Sequence, residues 1–189
     1  MNISKEQTLC IQSSSQFVVV DIQEKLSATM PEKVINRVIK NTSLLAQAAA
    51  AFGIPITLTE QYPRGLGTTL APLAPVVAQA RRIEKTCFSC ADSPEFNAIC
   101  KENKRSQVIL VGMEAHICIL QTALDLQAAG FHVFVVEDAI CSRRLENYEN
   151  AIHRLRQAGV VVTNAESVVF EWLRDSRHEQ FKAISALLR

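Results

Sequence analysis

The chain has 189 residues, 48% apolar and 21% charged, a length that suits one domain at roughly 150 residues each and buries about 70% of its unfolded surface. That balance excludes a disordered or fibrous chain. Twenty Lys and Arg against nineteen Asp and Glu leave a net charge of +1, without the basic excess that nucleic-acid or anionic-membrane binding selects.

The opening stretch MNISKEQTLCIQSSSQ lacks the basic flank and sustained apolar run of a secretory signal, and no apolar run reaches the roughly 18 residues of a membrane span. A soluble, cytoplasmic protein is therefore expected, with neither nucleic acid nor membrane as partner. The six cysteines, at 10, 87, 90, 100, 118 and 141, are then expected as free thiols.

In chain order, Phe17 to Val20 is a strand-like run ending in Asp21. Val34, Ile35, Val38, Ile39, Leu45 and Ala49 recur at helical spacing. Thr29 and Glu32 have capping-box spacing before that helix, and Gly53 suits its stop. A second strand is predicted through Ile54, Ile56 and Leu58, ahead of the turn-rich YPRGLG, and a short third one near Arg81 to Ile83. A helix follows Pro94, then a strand from Gln107 to Val111. From about His116 another helix carries Ile117, Leu120, Leu124 and Ala128 on one face and stops at Gly130. The strand His132 to Val136, a helix through Ile152 and Leu155, and the strand Val160 to Val162 complete the pattern.

Six strands alternating with helices predict an α/β fold, a parallel sheet covered by helices on both faces. The whole chain, 1–189, reads as one domain with an N-terminal arm, 1–16, and an amphipathic C-terminal tail, 166–189. Phe170, Trp172, Leu173, Phe181, Ile184 and Leu188 give the tail its apolar side, which can pack on its own domain or on another subunit.

Ligands of open α/β sheets bind beyond the carboxyl ends of the strands. Three reactive side chains fall there: Asp21 after the first strand, Lys85 two residues past the third, and Cys118 after the fourth, across GMEAHI. A carboxylate, an ammonium and a thiol suit nucleophilic catalysis, since Lys85 and a helix N-terminus favour the thiolate and Asp21 can move a proton. Each also has a plainer use: an Asp closing a strand forms turns, a Lys there is solvated, and a single Cys fills core space.

The segments VVVDIQEK, EKTCFS and VGMEAHICILQTALDL, in that order and spacing, resemble the isochorismatase-like cysteine hydrolases, over about Phe17 to Leu173. The resemblance implies a three-layer αβα, Rossmann-like sandwich whose sheet order is 3-2-1-4-5-6, and a catalytic triad of Asp21, Lys85 and Cys118. It implies cleavage of a small amide or ester through a thioester on Cys118, with Asp21 passing the proton and Lys85 stabilising charge. It also implies a non-proline cis bond between Met113 and Glu114 in an oxyanion-holding turn that leads to Cys118. True isochorismatases lack this cysteine, which favours amide or ester cleavage over vinyl-ether hydrolysis. A homo-oligomer, from dimer to octamer, is implied as well.

The family's nicotinamidase branch holds a metal through Asp-x-His after the second strand. Here that stretch is TEQYP, placing Glu60 and Tyr62 where Asp and His would stand, and no His occurs between residues 1 and 115. No metal and no cofactor are expected. Gln23, Glu60, Gln61, Tyr62, Phe88 and His116 are candidates for lining a small-molecule pocket.

Two competing readings remain. Cys87 and Cys90 form a CxxC, which marks a redox pair or half a zinc site elsewhere; here Ala91 to Pro94 separate it from the next helix, and no second CxxC exists. A catalytically idle scaffold that binds a metabolite or partner at the same edge is the other. His116 is two residues from Cys118 and so off its helix face, which leaves it as a helix-start or pocket residue.

Overall fold

The computed structural model describes residues 7–188. Residues 1–6 of the expected N-terminal arm lie outside it. Six strands, β1 (Ser15–Val20), β2 (Ile56–Gln61), β3 (Arg81–Lys85), β4 (Gln107–Met113), β5 (His132–Cys141) and β6 (Val161–Thr163), form one sheet ordered β3-β2-β1-β4-β5-β6. Every pairing in it is parallel. The helices are α1 (Glu24–Ser27), α2 (Glu32–Ala51), α3 (Pro63–Leu66), α4 (Pro94–Glu102), α5 (Leu120–Ala128), α6 (Leu145–Gln157), α7 (Ala165–Leu173) and α8 (Phe181–Ala186).

Alternation along β1 shows how the sheet divides the core. Phe17 and Val19 pack with α2, α7 and α8 through residues such as Leu45, Trp172 and Ile184. Val18 and Val20 face the other way, against Phe96 and Ile99 of α4, Leu120 and Ala123 of α5, and Ile152 and Leu155 of α6. Successive side chains of a strand point to opposite faces, so a strand buried on both sides reads as a continuous apolar run. The three-layer sandwich and its strand order are as the sequence implies.

Several boundaries differ from the sequence reading. β1 begins at Ser15, inside the expected arm, because Gln107 binds the Ser15 hydroxyl (3.1 Å) and the Ile11 N–H (2.7 Å), drawing that segment onto β4. Thr29 does not cap α2; Pro31 takes the cap position, and the Thr29 hydroxyl donates instead to the Leu26 carbonyl (2.8 Å) in the turn closing α1. β3 runs on to Lys85. β5 continues to Cys141, past the charged Glu137 and Asp138, where the β4–β5 register shifts and the strand bulges. The segment at His116 opens as a π-helical turn, Ala115–Ile119, before α5 begins.

The tail packs on its own domain. Trp172 is buried, donates from Nε1 to Ser15 Oγ (3.0 Å), and meets Phe52 edge-on with ring centroids 6.3 Å apart. Among the described residues no helix is long and apolar enough to cross a membrane.

Candidate active site

In the order β3-β2-β1-β4-β5-β6, β1 and β4 are neighbours, and the chain leaves the carboxyl end of β1 toward β2 but that of β4 toward β5, in opposite directions. Such a switch point opens a crevice between adjacent strand ends. Asp21 turns out of β1 in the left-handed region, φ 53°. Asp tolerates that conformation better than most side chains, and the Asp21 N–H is held by the Thr59 carbonyl at 3.1 Å. On the other side β4 passes so close that a Cβ on Gly112 would lie 1.9 Å from the Val20 carbonyl oxygen. A side chain there would push apart the two strands that carry the crevice.

Lys85, the last residue of β3, stands opposite Gln61 at the end of β2. Its stem crosses β2 to place Nζ 2.7 Å from Asp21 Oδ2, and both side chains are almost wholly buried. Nζ also reaches Gln61 Oε1 (2.8 Å) and the carbonyls of Cys87 and Phe88 (3.2 Å each). An ammonium has three hydrogens, and four acceptors already surround this one. The second Asp21 oxygen, Oδ1, accepts the Thr59 hydroxyl at 2.7 Å.

Cys118 sits in the π-helical turn, 5% exposed, with its thiol close enough to feel the charges of Asp21 and Lys85. The turn winds round one acceptor, the Glu114 carbonyl, which takes the N–H groups of both Ile117 (3.0 Å) and Ile119 (3.2 Å). The Met113–Glu114 peptide bond is cis. Single π turns inside helices occur frequently at functional sites.

The electrostatics run against the expectation of a resting thiolate. Burial and the negative charge of Asp21 push the Cys118 thiol well above its ordinary range, and the opposing pull of Lys85 is smaller. Burial lowers Lys85, but the Asp21 charge, reinforced by Cys90 and Cys118 only where those thiols ionise and by the Asp21 hydrogen bond, outweighs it and leaves the ammonium more firmly protonated than usual. At rest the site is thus a neutral thiol beside a carboxylate–ammonium pair.

The six pocket candidates divide. Gln23 and Gln61 turn their amides inward: Gln23 binds the Gln61 N–H (2.7 Å) and the Gln61 and Gly67 carbonyls, and Gln61 donates to the Thr86 carbonyl (2.7 Å). Glu60 is buried, accepting the Thr69 N–H (2.7 Å) and hydroxyl (2.6 Å). Gln23 and Glu60 stitch the loop after α3 to the sheet, and Gln61 ties in the loop after β3. His116 Nδ1 shares a hydrogen bond with Ser142 Oγ (2.9 Å), which ties the π turn to the loop after β5. Tyr62 and Phe88 alone of the six are exposed, at 55% each. The Tyr62 N–H is held by the Lys85 carbonyl at 2.8 Å and the Phe88 carbonyl accepts from Lys85 Nζ, so the backbones of both residues adjoin the lysine.

Among the described residues no group of three or more His, Cys, Asp or Glu side chains is placed to hold a metal. All six thiols are free, and Cys90 lies in a short 3-10 turn ahead of α4. An apolar cleft of about 730 Å³, lined by Ala50, Ile54, Val76, Ile184 and Leu187, lies at the amino end of β2 and holds none of the triad. Sequence reasoning missed Thr59 and read Cys90 only as half of a CxxC. Thr59 carries no local signal, and its placement beside Asp21 and Cys90 depends on how the strands register.

The isochorismatase domain model matches residues 15–167, which include Asp21, Lys85 and Cys118. Isochorismatase domain-containing protein 1 of Danio rerio is 37% identical over 179 residues, 94% of this chain; the chain spans only 62% of that relative's length. Among solved structures, the MAR1 ribonuclease of Caenorhabditis elegans is 35% identical with a TM-score of 0.88, over 94% of this chain and 91% of that one. YcaC of Pseudomonas aeruginosa, solved with hexane-2,5-diol and covalent acrylamide, is 26% identical with a TM-score of 0.90, over 98% and 93%. On the family match across most of its length, the chain belongs to the isochorismatase family.

Proposed function

We propose that the protein is a cysteine hydrolase that cleaves a small amide or ester through a thioester on Cys118. The observation that carries this reading is that a buried cysteine, Cys118, and the buried 2.7 Å Asp21–Lys85 pair come together at the carboxyl ends of neighbouring strands. Membership of a family whose members are generally hydrolases supports it. So does the acrylamide bound covalently to YcaC, since an activated thiol adds to such a compound.

In this mechanism Asp21 takes the Cys118 proton as sulfur attacks the carbonyl carbon, so the thiolate exists only during attack. A high resting thiol pKa is no obstacle when the base stands within reach of the proton it removes as the bond forms. Main-chain N–H groups of the Met113–Cys118 turn hold the tetrahedral oxyanion. Collapse breaks the C–N or C–O bond, and Asp21 returns the proton to the leaving amine or alcohol. Asp21 then deprotonates water, which attacks the thioester, and the released sulfur regains a proton. Lys85, with its hydrogens already taken up, acts through Asp21, holding it in place.

Tyr62 and Phe88, the exposed pair beside Lys85, offer apolar flanks for the acyl or leaving group. We also propose self-association, on the exposure of Phe170 and Leu145; light scattering that returns the 20.9 kDa monomer at micromolar concentration would remove that part.

The deciding experiment is a panel of small amides, ureas and esters assayed against the wild type and Cys118→Ala. The expected result is turnover of at least one compound, reduced about a thousandfold or more in the variant. Equal turnover in the variant would remove Cys118 as nucleophile.

A further inference from the structure

β2 presents Thr57 and Thr59 to one side of the sheet, and in the β1–β2 register Thr59 stands opposite Val20, next to Asp21. Both Thr59 and Asp21 are fully buried. The Thr59 hydroxyl donates its single hydrogen to Asp21 Oδ1 at 2.7 Å, and the Cys90 thiol contacts the same hydroxyl oxygen at 3.8 Å. A hydroxyl rotor turns to suit its neighbours. Here a thiol donor on the oxygen and a carboxylate acceptor beyond its hydrogen favour one direction.

Cys90 is tied in turn to the nucleophile's helix. Its N–H donates to Thr122 Oγ1 at 2.9 Å, and Thr122 lies one turn beyond Cys118 in α5. A buried chain of contacts therefore runs from Asp21 through Thr59 and Cys90 to Thr122, one helical turn along from Cys118.

The terminal torsion of an Asp side chain is broad and roughly two-fold. Lys85 holds Oδ2 from β3 and Thr59 holds Oδ1 from β2. With a donor on each oxygen, supplied by different strands, the carboxylate plane cannot turn away from the thiol. We infer that Thr59 is a positioning residue for the reaction: its hydroxyl holds Asp21 in the orientation that accepts the Cys118 proton. The inference rests on the reading of Asp21 as base and Cys118 as nucleophile.

The test is the second-order rate of acrylamide labelling at Cys118 in the full chain, followed by peptide mass at pH 7.5. Thr59→Val keeps the shape and loses the hydroxyl, whereas Thr59→Ser keeps the hydroxyl and loses a methyl. The expected outcome is labelling slowed about five- to tenfold in Thr59→Val, the scale of one lost hydrogen bond, with Thr59→Ser within about twofold of wild type. Should the valine variant not fold by circular dichroism, Thr59→Ala serves as the second hydroxyl-free chain, with the same slowing expected. Wild-type labelling in the hydroxyl-free variant overturns the inference, as does equal slowing in valine and serine variants, which would mark a packing role. Asp21→Asn separates the two levels: slowed labelling there supports the underlying reading, and an unchanged rate overturns that reading together with the inference.

Discussion

A lysine that ends a strand is ordinarily solvated, yet Lys85 is 5% exposed and surrounded by acceptors. Its stability role follows from the cost of burying charge. Asp21 is fully buried, so in the resting fold the ammonium and the Thr59 hydroxyl stand in for its hydration. Removing one member of a buried, hydrogen-bonded pair strands the other, at a cost of about 3–5 kcal/mol. Lys85→Met is therefore expected to lower the free energy of unfolding by that amount in urea titration, and also to slow Cys118 labelling. A loss below about 1 kcal/mol would mean that the pair is held less tightly than its 2.7 Å separation implies. Asp21→Asn is nearly isosteric but strands the Lys85 ammonium in turn, so a stability loss of similar scale is expected, with turnover abolished while the circular dichroism spectrum stays native.

Among the elements, the tail makes the clearest energetic claim. Trp172 is 1% exposed and bridges the start of β1 to the end of α2, through Ser15 and Phe52. Truncating such a residue removes transfer energy and leaves a cavity, so Trp172→Ala should cost about 3–5 kcal/mol. A loss under about 1 kcal/mol in the same titration would mean that the tail's apolar face serves another purpose.

Which elements were legible in the sequence follows from the kind of signal each leaves. β1 and β4 are unbroken apolar runs because both faces are covered, and that pattern needs no knowledge of neighbours. Beyond Val136 the signal fails, since Glu137 and Asp138 look like a strand end. In the fold a bulge absorbs them, with Asp138 accepting the Ala165 N–H at 2.9 Å. The π turn leaves no mark, because a single widened turn hardly disturbs helical spacing. Asp21, Lys85 and Cys118 were legible as reactive residues at strand ends. The links among them were not: Lys85 to Gln61 and Thr59 to Asp21 are set by register between strands. Nor could the direction of the Cys118 shift be read, as it depends on burial that only the folded chain reveals.

At the scale of the whole molecule, burial of thiols couples stability to alkaline pH. Burial is the leading cause that pushes Cys90 up to about 11, and Cys100 and Cys141 up to about 12, from an ordinary 9.0. Cys10 and Cys118 move in the same direction, again chiefly through burial. In the unfolded chain these groups lose protons near pH 9, while in the folded chain they keep them. Above pH 9 the unfolded state therefore binds fewer protons, and stability falls as pH rises. The stability is fully present below about 9 and is lost progressively toward 11–12, by about 1.4 kcal/mol per pH unit for each thiol that ionises only on unfolding. Lys85, raised above 10.5 in the fold, adds a loss of the same sign only at the upper end. Urea titrations at pH 8, 9.5 and 10.5 should show a steepening decline, and Cys141→Ala should flatten it by one thiol's share while lowering the starting value. A stability that stays level from pH 8 to 10.5 would mean that the buried thiols ionise as readily in the fold as in water, and would also undercut the neutral resting state assigned to Cys118.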